Sequence, residues 1–226
     1  MKVSSVEICT TQDGSHSLIS ENEGVLYRSK YGAVTEAKHV FIEAGLFYKS
    51  IEKKSIRLLE VGFGTGLNAF LSFIEAKKYG LEIHYLAIEA NPIPLEIAGE
   101  LNYPQVLKAQ DSNEIFMQLH LSDWGTEVEL AERFTFTKIN DKVQNIHFEE
   151  QFDLIYFDVF APDFDPELWE RPMLEKMFYA LLPGGIMVTY CAKGEFKRTL
   201  KAIGFQVEAL QGSPGKREMT RAKKNH

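Results

Sequence analysis

The stretch Ile56–Asn68, IRLLEVGFGTGLN, decides the fold. Ile56 to Val61 is a short apolar run with strand character, and Leu67 to Tyr79 has the apolar spacing of a helix that Gly80 ends. Between them Gly62, Gly64 and Gly66 stand at alternate positions. Glycines so placed let the backbone turn sharply and approach a ligand closely. The first amides of the following helix have no partner within it and favour negative charge. The same pattern also serves as a plain tight strand-to-helix turn in a doubly wound sheet.

The chemistry of the loop narrows its ligand. A Walker-type phosphate loop needs a lysine after its last glycine, and Leu67 stands there. A dinucleotide loop prefers GxGxxG, whereas this one is GxGxG. Glu60, two residues before the first glycine, would repel a pyrophosphate and attract a ligand bearing an ammonium and a sulfonium. S-adenosylmethionine carries both, plus one carboxylate for the helix amides. Glu60, Gly62, Phe63, Gly64, Thr65, Gly66 and Asn68 are therefore candidate cofactor residues.

Outward from the loop, strand and helix patterns alternate. Strands are expected at Ile83–Ile88, Val106–Ala109, Phe134–Ile139, Phe152–Phe157 and Gly185–Cys191. Helices are expected at Pro94–Leu101, Ser112–Leu121, Met173–Leu182 (stopped by Pro183-Gly184-Gly185) and Glu195–Ile203. Such alternation means βαβ units and a mainly parallel α/β sheet. The end of the chain reads as two strands around a Gly212–Gly215 turn, an antiparallel edge hairpin. Upstream, Asp13-Gly14 and Asn22-Glu23-Gly24 punctuate runs such as SLIS and VLYR as hairpins do, and Val34–Tyr48 suits an amphipathic helix. The expected division is an N-terminal extension over 1–50 packed on a core domain over 51–226.

Composition sets outer bounds. The chain has 226 residues, 45% apolar and 12% aromatic, enough for one sizeable packed core. No run approaches the ~20 apolar residues of a membrane span, and the N-terminus lacks the apolar core of a signal peptide. Cys9 and Cys191 offer neither a disulfide framework nor metal-ligand spacing. A cytoplasmic protein without metal or membrane attachment is the expectation. The net charge is −7, yet Lys193–His226 holds nine basic and three acidic residues. That segment is either a solvated helix face with a frayed tail or a local seat for a polyanion.

Two further acids stand at expected strand ends. Glu89 would either accept hydrogen bonds from ribose hydroxyls or face solvent. Asp158 ends FDLIYF and begins the loop DVFAPDFDPELW. Ligands of open parallel sheets sit outside the carboxyl ends of strands, so Asp158 is expected beside the reactive end of the cofactor. There it would hold an acceptor amine and take or relay its proton. Phe160 would wall the pocket and face a cation with its ring, and Pro162 would keep the loop rigid. Asp165-Pro166 reads as a helix start, and Trp169 as packing. Asp141, after the strand at Phe134–Ile139, would either meet the adenine amino group or simply make a turn.

With these residues assembled, the sequence resembles the MnmC-like (MnmD-type) tRNA methyltransferases. Asp13-Gly14-Ser15, Tyr31-Gly32-Ala33 through Glu36, EVGFGTGLN from Glu60 to Asn68, DVFAPDFDPELW, Pro183-Gly184-Gly185 and Lys216-Arg217-Glu218-Met219 resemble that family's motifs, in order. Asp165 departs from it, standing where the family often has Asn. The resemblance implies a class I (Rossmann-like), S-adenosylmethionine-dependent enzyme that methylates the aminomethyl nitrogen of wobble 5-aminomethyl(-2-thio)uridine in tRNA. By the resemblance, the glycine loop and Glu89 bind the cofactor and Asp158 lies at the methyl-transfer centre. Lys197, Arg198, Lys201, Lys216 and Arg217 become candidate contacts to tRNA phosphates. Relatives often carry a fused flavin-dependent oxidase; this chain ends soon after its KREM segment, so no FAD is expected in it. A class I N-methyltransferase acting on a small amine is the alternative, and a non-catalytic cofactor-binding protein a more distant one.

Overall fold

The computed structural model describes residues 6–20 and 24–225. Eight strands form one sheet. In chain order these are β3 (Ser55–Val61), β4 (Glu82–Ile88), β5 (Val128–Ala131), β6 (Phe134–Ile139), β7 (Phe152–Phe157), β8 (Leu181–Thr189), β9 (Phe205–Gln211) and β10 (Glu218–Lys224). Their spatial order is β5-β6-β4-β3-β7-β8-β10-β9. The five central strands pair in parallel, while β10 runs antiparallel to both β8 and β9. The expected parallel sheet with a C-terminal edge hairpin is thus present. The chain steps outward on one side from β3 to β4, and returns to the other side of β3 with β7. Strand order therefore reverses between β3 and β7, the place where α/β sheets bind ligands.

Side-chain alternation builds two apolar layers. Leu58, Tyr85, Phe136 and Tyr156 face one layer, packed with α3 (Leu67–Tyr79) and α6 (Asn113–Leu121). Leu59, Val61, Ile155 and Phe157 face the other, with α7 (Arg171–Ala180) and α8 (Gly194–Ile203). The first layer is closed by the N-terminal region. Ala33–Ala37 (α1), a π-helical stretch Lys38–Phe47 and Tyr48–Glu52 (α2) run on without a break, so the helix crosses the expected boundary at residue 50. Gly45 lets this run press on the sheet, since a Cβ there would lie 3.1 Å from the Tyr156 ring. Leu18, Ala33, Val40 and Leu46 share one core with Leu58 and Tyr156.

Ahead of that helix, β1 (Val6–Thr10) and β2 (His16–Ser20) form a hairpin across Asp13-Gly14. The Asp13 carboxylate accepts from Ser15 N (3.0 Å) and from both Thr35 N (2.9 Å) and Thr35 Oγ1 (2.8 Å), clasping the hairpin turn to the start of α1. Against the opposing effect of burial, the Ser15 hydroxyl (2.5 Å) together with these donors holds its carboxyl down at about 2. The DGS motif is thus a structural clasp.

The structure corrects three local expectations and adds one strand. VLYR is not a strand: it makes one isolated bridge, Leu26 to Ile19, and then bends; part of the Asn22-Glu23-Gly24 turn lies outside the described residues. Val106–Ala109 is not a strand either. Pro104 starts a short helix, α5 (Tyr103–Val106), and Lys108 takes φ 54. β5, which no pattern announced, pairs antiparallel with β6 through an irregular register. Finally, Pro183-Gly184-Gly185 does not stop a helix. The helix ends at Ala180 and β8 runs through these residues. They form a bulge, where the register jumps between the Phe152–Leu181 and Leu154–Ile186 pairs and Gly184 takes φ 76.

Candidate active site

The ends of β3, β4 and β7 are joined by backbone hydrogen bonds. Asp158 N donates to Val61 O (3.0 Å), and Gly62 N donates to Ile88 O (3.0 Å). Gly62 takes φ 94, and a Cβ on it would fall 2.4 Å from the carbonyl oxygen of Asp158. The first glycine is therefore required by the approach of β7. The third, Gly66, takes φ 72 at the start of α3, where a Cβ would meet His120 Nε2 at 2.8 Å. His120 is packed between Phe63 and Phe116. Burial, with Lys138 nearby, lowers its pKa to about 4, so it stays neutral at physiological pH.

Glu89 follows β4 directly. One carboxylate oxygen accepts Gly64 N (2.8 Å) and the other Asn91 N (2.8 Å), while Asn140 Nδ2 donates to its carbonyl (2.9 Å). Burial raises the Glu89 pKa, and the amides of Asn91 and Gly64 oppose that rise. Asp141 is exposed and accepts from Lys142 N and Asn145 Nδ2, both at 2.7 Å. Of its two expected roles, the turn is the one these contacts serve. A cavity of about 220 Å³ is lined by Phe63, Gly64 and Ile93 together with Lys138 and Trp124. A second, of about 240 Å³, lies between His39 and Arg221 and touches neither the glycine loop nor Glu89 nor Asp158.

Glu60 is fully buried. Its two oxygens accept from Tyr85 OH (2.8 Å) and Asn68 Nδ2 (2.9 Å), so it lies behind Asn68 instead of standing bare at the loop. Burial pushes its pKa up to about 8 despite the Arg28 guanidinium, so it is mostly protonated at neutral pH. Asn68 Nδ2 also donates to Asp158 Oδ2 (2.8 Å), and Arg28 Nη1 forms an ion pair with the same oxygen. The Asp158 side chain is 8% exposed. No described residue donates a hydrogen bond to its other oxygen, Oδ1.

Around Asp158 the loop is fixed by its backbone. Tyr190 OH donates to Val159 O (2.7 Å), and Trp169 Nε1 donates to Phe160 O (2.8 Å). Trp169 is buried against Phe157 and Phe196, as packing requires. The Phe160 ring meets Tyr27 edge-on at 5.0 Å, and Pro162 is half-buried. Asp165 precedes Pro166 at a short 3₁₀ turn, but its side chain makes no capping bond.

The basic candidates divide. Lys216 is paired with buried Glu36 (2.7 Å) and lies 3.9 Å from the Tyr190 ring centroid, while Lys197 is paired with Glu218 (2.7 Å). Both are held by internal carboxylates. Arg198, Lys201 and Arg217 are exposed. Reading the sequence missed Arg28 and Tyr27 altogether. Their one signal was an arginine and a tyrosine inside the apolar run VLYR, which also fits an ordinary edge strand.

Residues 105–225 match a family of S-adenosyl-L-methionine-dependent methyltransferases. The chain belongs to this family. The fold of the methyltransferase is that of the class I enzymes, and its cofactor is S-adenosylmethionine. The glycine cradle, whose first and third members admit no Cβ, and the strand-end Glu89 suit that cofactor. The tRNA 5-methylaminomethyl-2-thiouridine biosynthesis bifunctional protein MnmC of Leptospira interrogans is 28% identical, over 89% of the methyltransferase and 33% of its own length. The protein of the same name from Pseudoalteromonas atlantica is 26% identical, over 97% of the chain and 33% of its own length. The chain thus spans about a third of the length of these curated relatives. Among solved structures, MnmC2 from Aquifex aeolicus superposes with a TM-score of 0.77 at 25% identity, covering 98% of the chain and 71% of that protein. Spermidine synthase from Thermotoga maritima, at 14% identity and a TM-score of 0.59, shares the fold. Among the described residues no helix is long and apolar enough to cross a membrane. No cluster of three or more His, Cys, Asp or Glu side chains among them is placed to hold a metal.

Proposed function

We propose that this chain methylates the aminomethyl nitrogen of wobble 5-aminomethyl(-2-thio)uridine in tRNA, giving 5-methylaminomethyl(-2-thio)uridine. The observation that carries the reading is the state of Asp158. At the switch point of the sheet it has one oxygen held by two donors and the other without a described donor. A carboxylate so held suits an amine acceptor. Oδ1 receives an N–H, orients the nitrogen lone pair, and takes the proton as the new N–C bond forms and the C–S bond breaks. The cofactor supplies the methyl group on a cationic sulfur. On this reading Gly62, Phe63, Gly64, Thr65 and Gly66 form its cradle, Glu89 meets its ribose, and Glu60 supports the cradle through Asn68. Phe160 and Pro162 wall the acceptor pocket.

The substrate class follows the MnmC relatives, which match the chain along most of its length. On this reading the exposed Arg198, Lys201 and Arg217 meet phosphates, and Phe164 and Tyr31 (55% and 39% exposed) stack on unpaired bases. Residues 1–50 act as an extension closing the site, residues 51–226 as the methyltransferase domain, and the setting is cytoplasmic. A second reading, methylation of a small amine, draws on the internal pairing of Lys197 and Lys216, which leaves three of the five basic candidates for tRNA.

The test incubates the chain with labelled S-adenosylmethionine and tRNA bearing the aminomethyl nucleoside, then digests the tRNA and weighs its nucleosides. The methylaminomethyl product is expected. Transfer to free amines with none to tRNA would replace the first reading by the second.

A further inference from the structure

We propose that Arg28, carried in by the N-terminal extension, is the positioning residue of the methyl-transfer site, holding Asp158 ionised and aimed so that its second oxygen receives the acceptor amine. The inference rests on the function proposed above and assigns a role in it to a residue outside the methyltransferase motifs.

Arg28 is itself fixed from several directions. Its backbone N–H donates to Ser17 Oγ (3.1 Å), and the neighbouring Tyr27 N–H donates to Leu18 O (2.9 Å). On the other side, Ser29 N donates to Glu36 Oε2 (3.0 Å). The strap is thus sewn to β2 before it and to α1 after it. Its guanidinium is 4% exposed and sits 6.0 Å from the Phe41 ring centroid, so it is shut off from solvent.

The guanidinium meets a closed network. It pairs with Asp158 Oδ2 and also donates to Asn68 Oδ1 (3.3 Å). With its oxygen toward Arg28, the Asn68 amide must turn its NH₂ toward the carboxyls, where it bonds Glu60 Oε1 and Asp158 Oδ2. Arg28 therefore sets two things at once: the position of one Asp158 oxygen and the orientation of the amide that shares it.

Charge assigns the third effect. Two buried carboxyls, Glu60 and Asp158, face a single guanidinium. The direct pair goes to Asp158, and Glu60 is reached through Asn68. The other charged or titratable groups near Asp158 are Glu36 on α1, Lys216 on the hairpin turn and Tyr190 after β8. Glu36 and Lys216 neutralise one another. Burial raises the Asp158 pKa above its ordinary value, and Arg28 is the principal influence holding that rise in check. A protonated Asp158 has no charge with which to draw the amine proton.

The experiment compares wild type, Arg28→Met, Arg28→Gln, Arg28→Lys, Asp158→Asn and the Arg28→Met/Asp158→Asn pair, using labelled S-adenosylmethionine and aminomethyl-bearing tRNA. Arg28→Met is expected to lower kcat roughly 10²-fold while cofactor Kd stays within about threefold. Its acid-side slope of log kcat/KM against pH should steepen from one proton toward two. Asp158 then titrates in the range where the substrate amine must also lose its proton. Arg28→Lys should recover at least about tenfold of the loss. In the Asp158→Asn background, Arg28→Met should cost less than about threefold, because its effect runs through Asp158. If Arg28→Met does not fold, Arg28→Gln, which keeps a donor for Asn68 without the charge, is read against the same slope, and the double variant removes the unpaired carboxylate. An unchanged slope, or losses that multiply in the double variant, would overturn the proposal. Wild type inactive on this tRNA would instead sink the function reading itself.

Discussion

The glycine-loop side and the Asp158 side of the switch point, proposed above as the cofactor and acceptor sides, are built in different ways. On the cofactor side, Gly62, Gly64 and Gly66 lie within five consecutive residues, and Glu89 reaches them through the backbone amide of Gly64. On the acceptor side, Asp158 takes its partners from Asn68, 90 residues away, and from Arg28 in the N-terminal strap. Lys216 reaches Glu36 across 180 residues. A binding loop made of backbone can be written in one short segment, because glycine conformations and a helix start are local properties. A buried charge network needs partners that only tertiary folding brings together.

The sharpest way to break this comparison is to strike where the two sides touch. Gly62→Ala puts a Cβ 2.4 Å from the Asp158 carbonyl at φ 94. It should abolish cofactor binding, lower methyl transfer more than ~10³-fold and cost at least about 2 kcal/mol of stability. Calorimetric titration and chemical denaturation check this. Normal cofactor binding by the variant would show that the loop and β7 are not so tightly joined.

Next in size is the outer surface of the acceptor side. Reversing Arg198, Lys201 and Arg217 to Glu together should raise KM for tRNA about tenfold or more and flatten its salt dependence, with cofactor Kd unchanged. Unaltered KM and salt slope would detach this surface from the acceptor site.

The smallest effect is a pH slope beneath the cofactor side. Folded Glu60 keeps its proton to about 8, whereas its ordinary value is 4.5. Between these values the folded chain binds the extra proton, so the Glu60 contribution is present in full below pH 4.5 and is lost as pH rises through 8. Cofactor-free wild type should therefore lose stability relative to Glu60→Gln across this window, read by denaturant melts at stepped pH. Parallel curves would mean that Glu60 is ionised in the fold.

The same contrast explains what was legible in the sequence. Strand-loop-helix order around Glu60–Asn68, the placement of Asp158 beside β3 and the terminal hairpin all rest on local periodicity and turn residues, and all are present. Arg28 was illegible because an arginine in VLYR says nothing of a carboxylate far along the chain. Lys216 read as a surface charge because sequence cannot place Glu36 beside it. Pro183-Gly184-Gly185 read as a stop because a bulge and a helix end ask for the same residues. Val106–Ala109 read as a strand because its apolar pattern is too short to separate strand from helix.

The most direct test of the division between the two sides is a paired measurement on Asp158→Ala: equilibrium titration with S-adenosylmethionine, then single-turnover methylation of aminomethyl-bearing tRNA. The account predicts cofactor affinity within about threefold of wild type and transfer reduced at least ~10³-fold. Transfer within about tenfold of wild type, or loss of cofactor binding along with turnover, would contradict it.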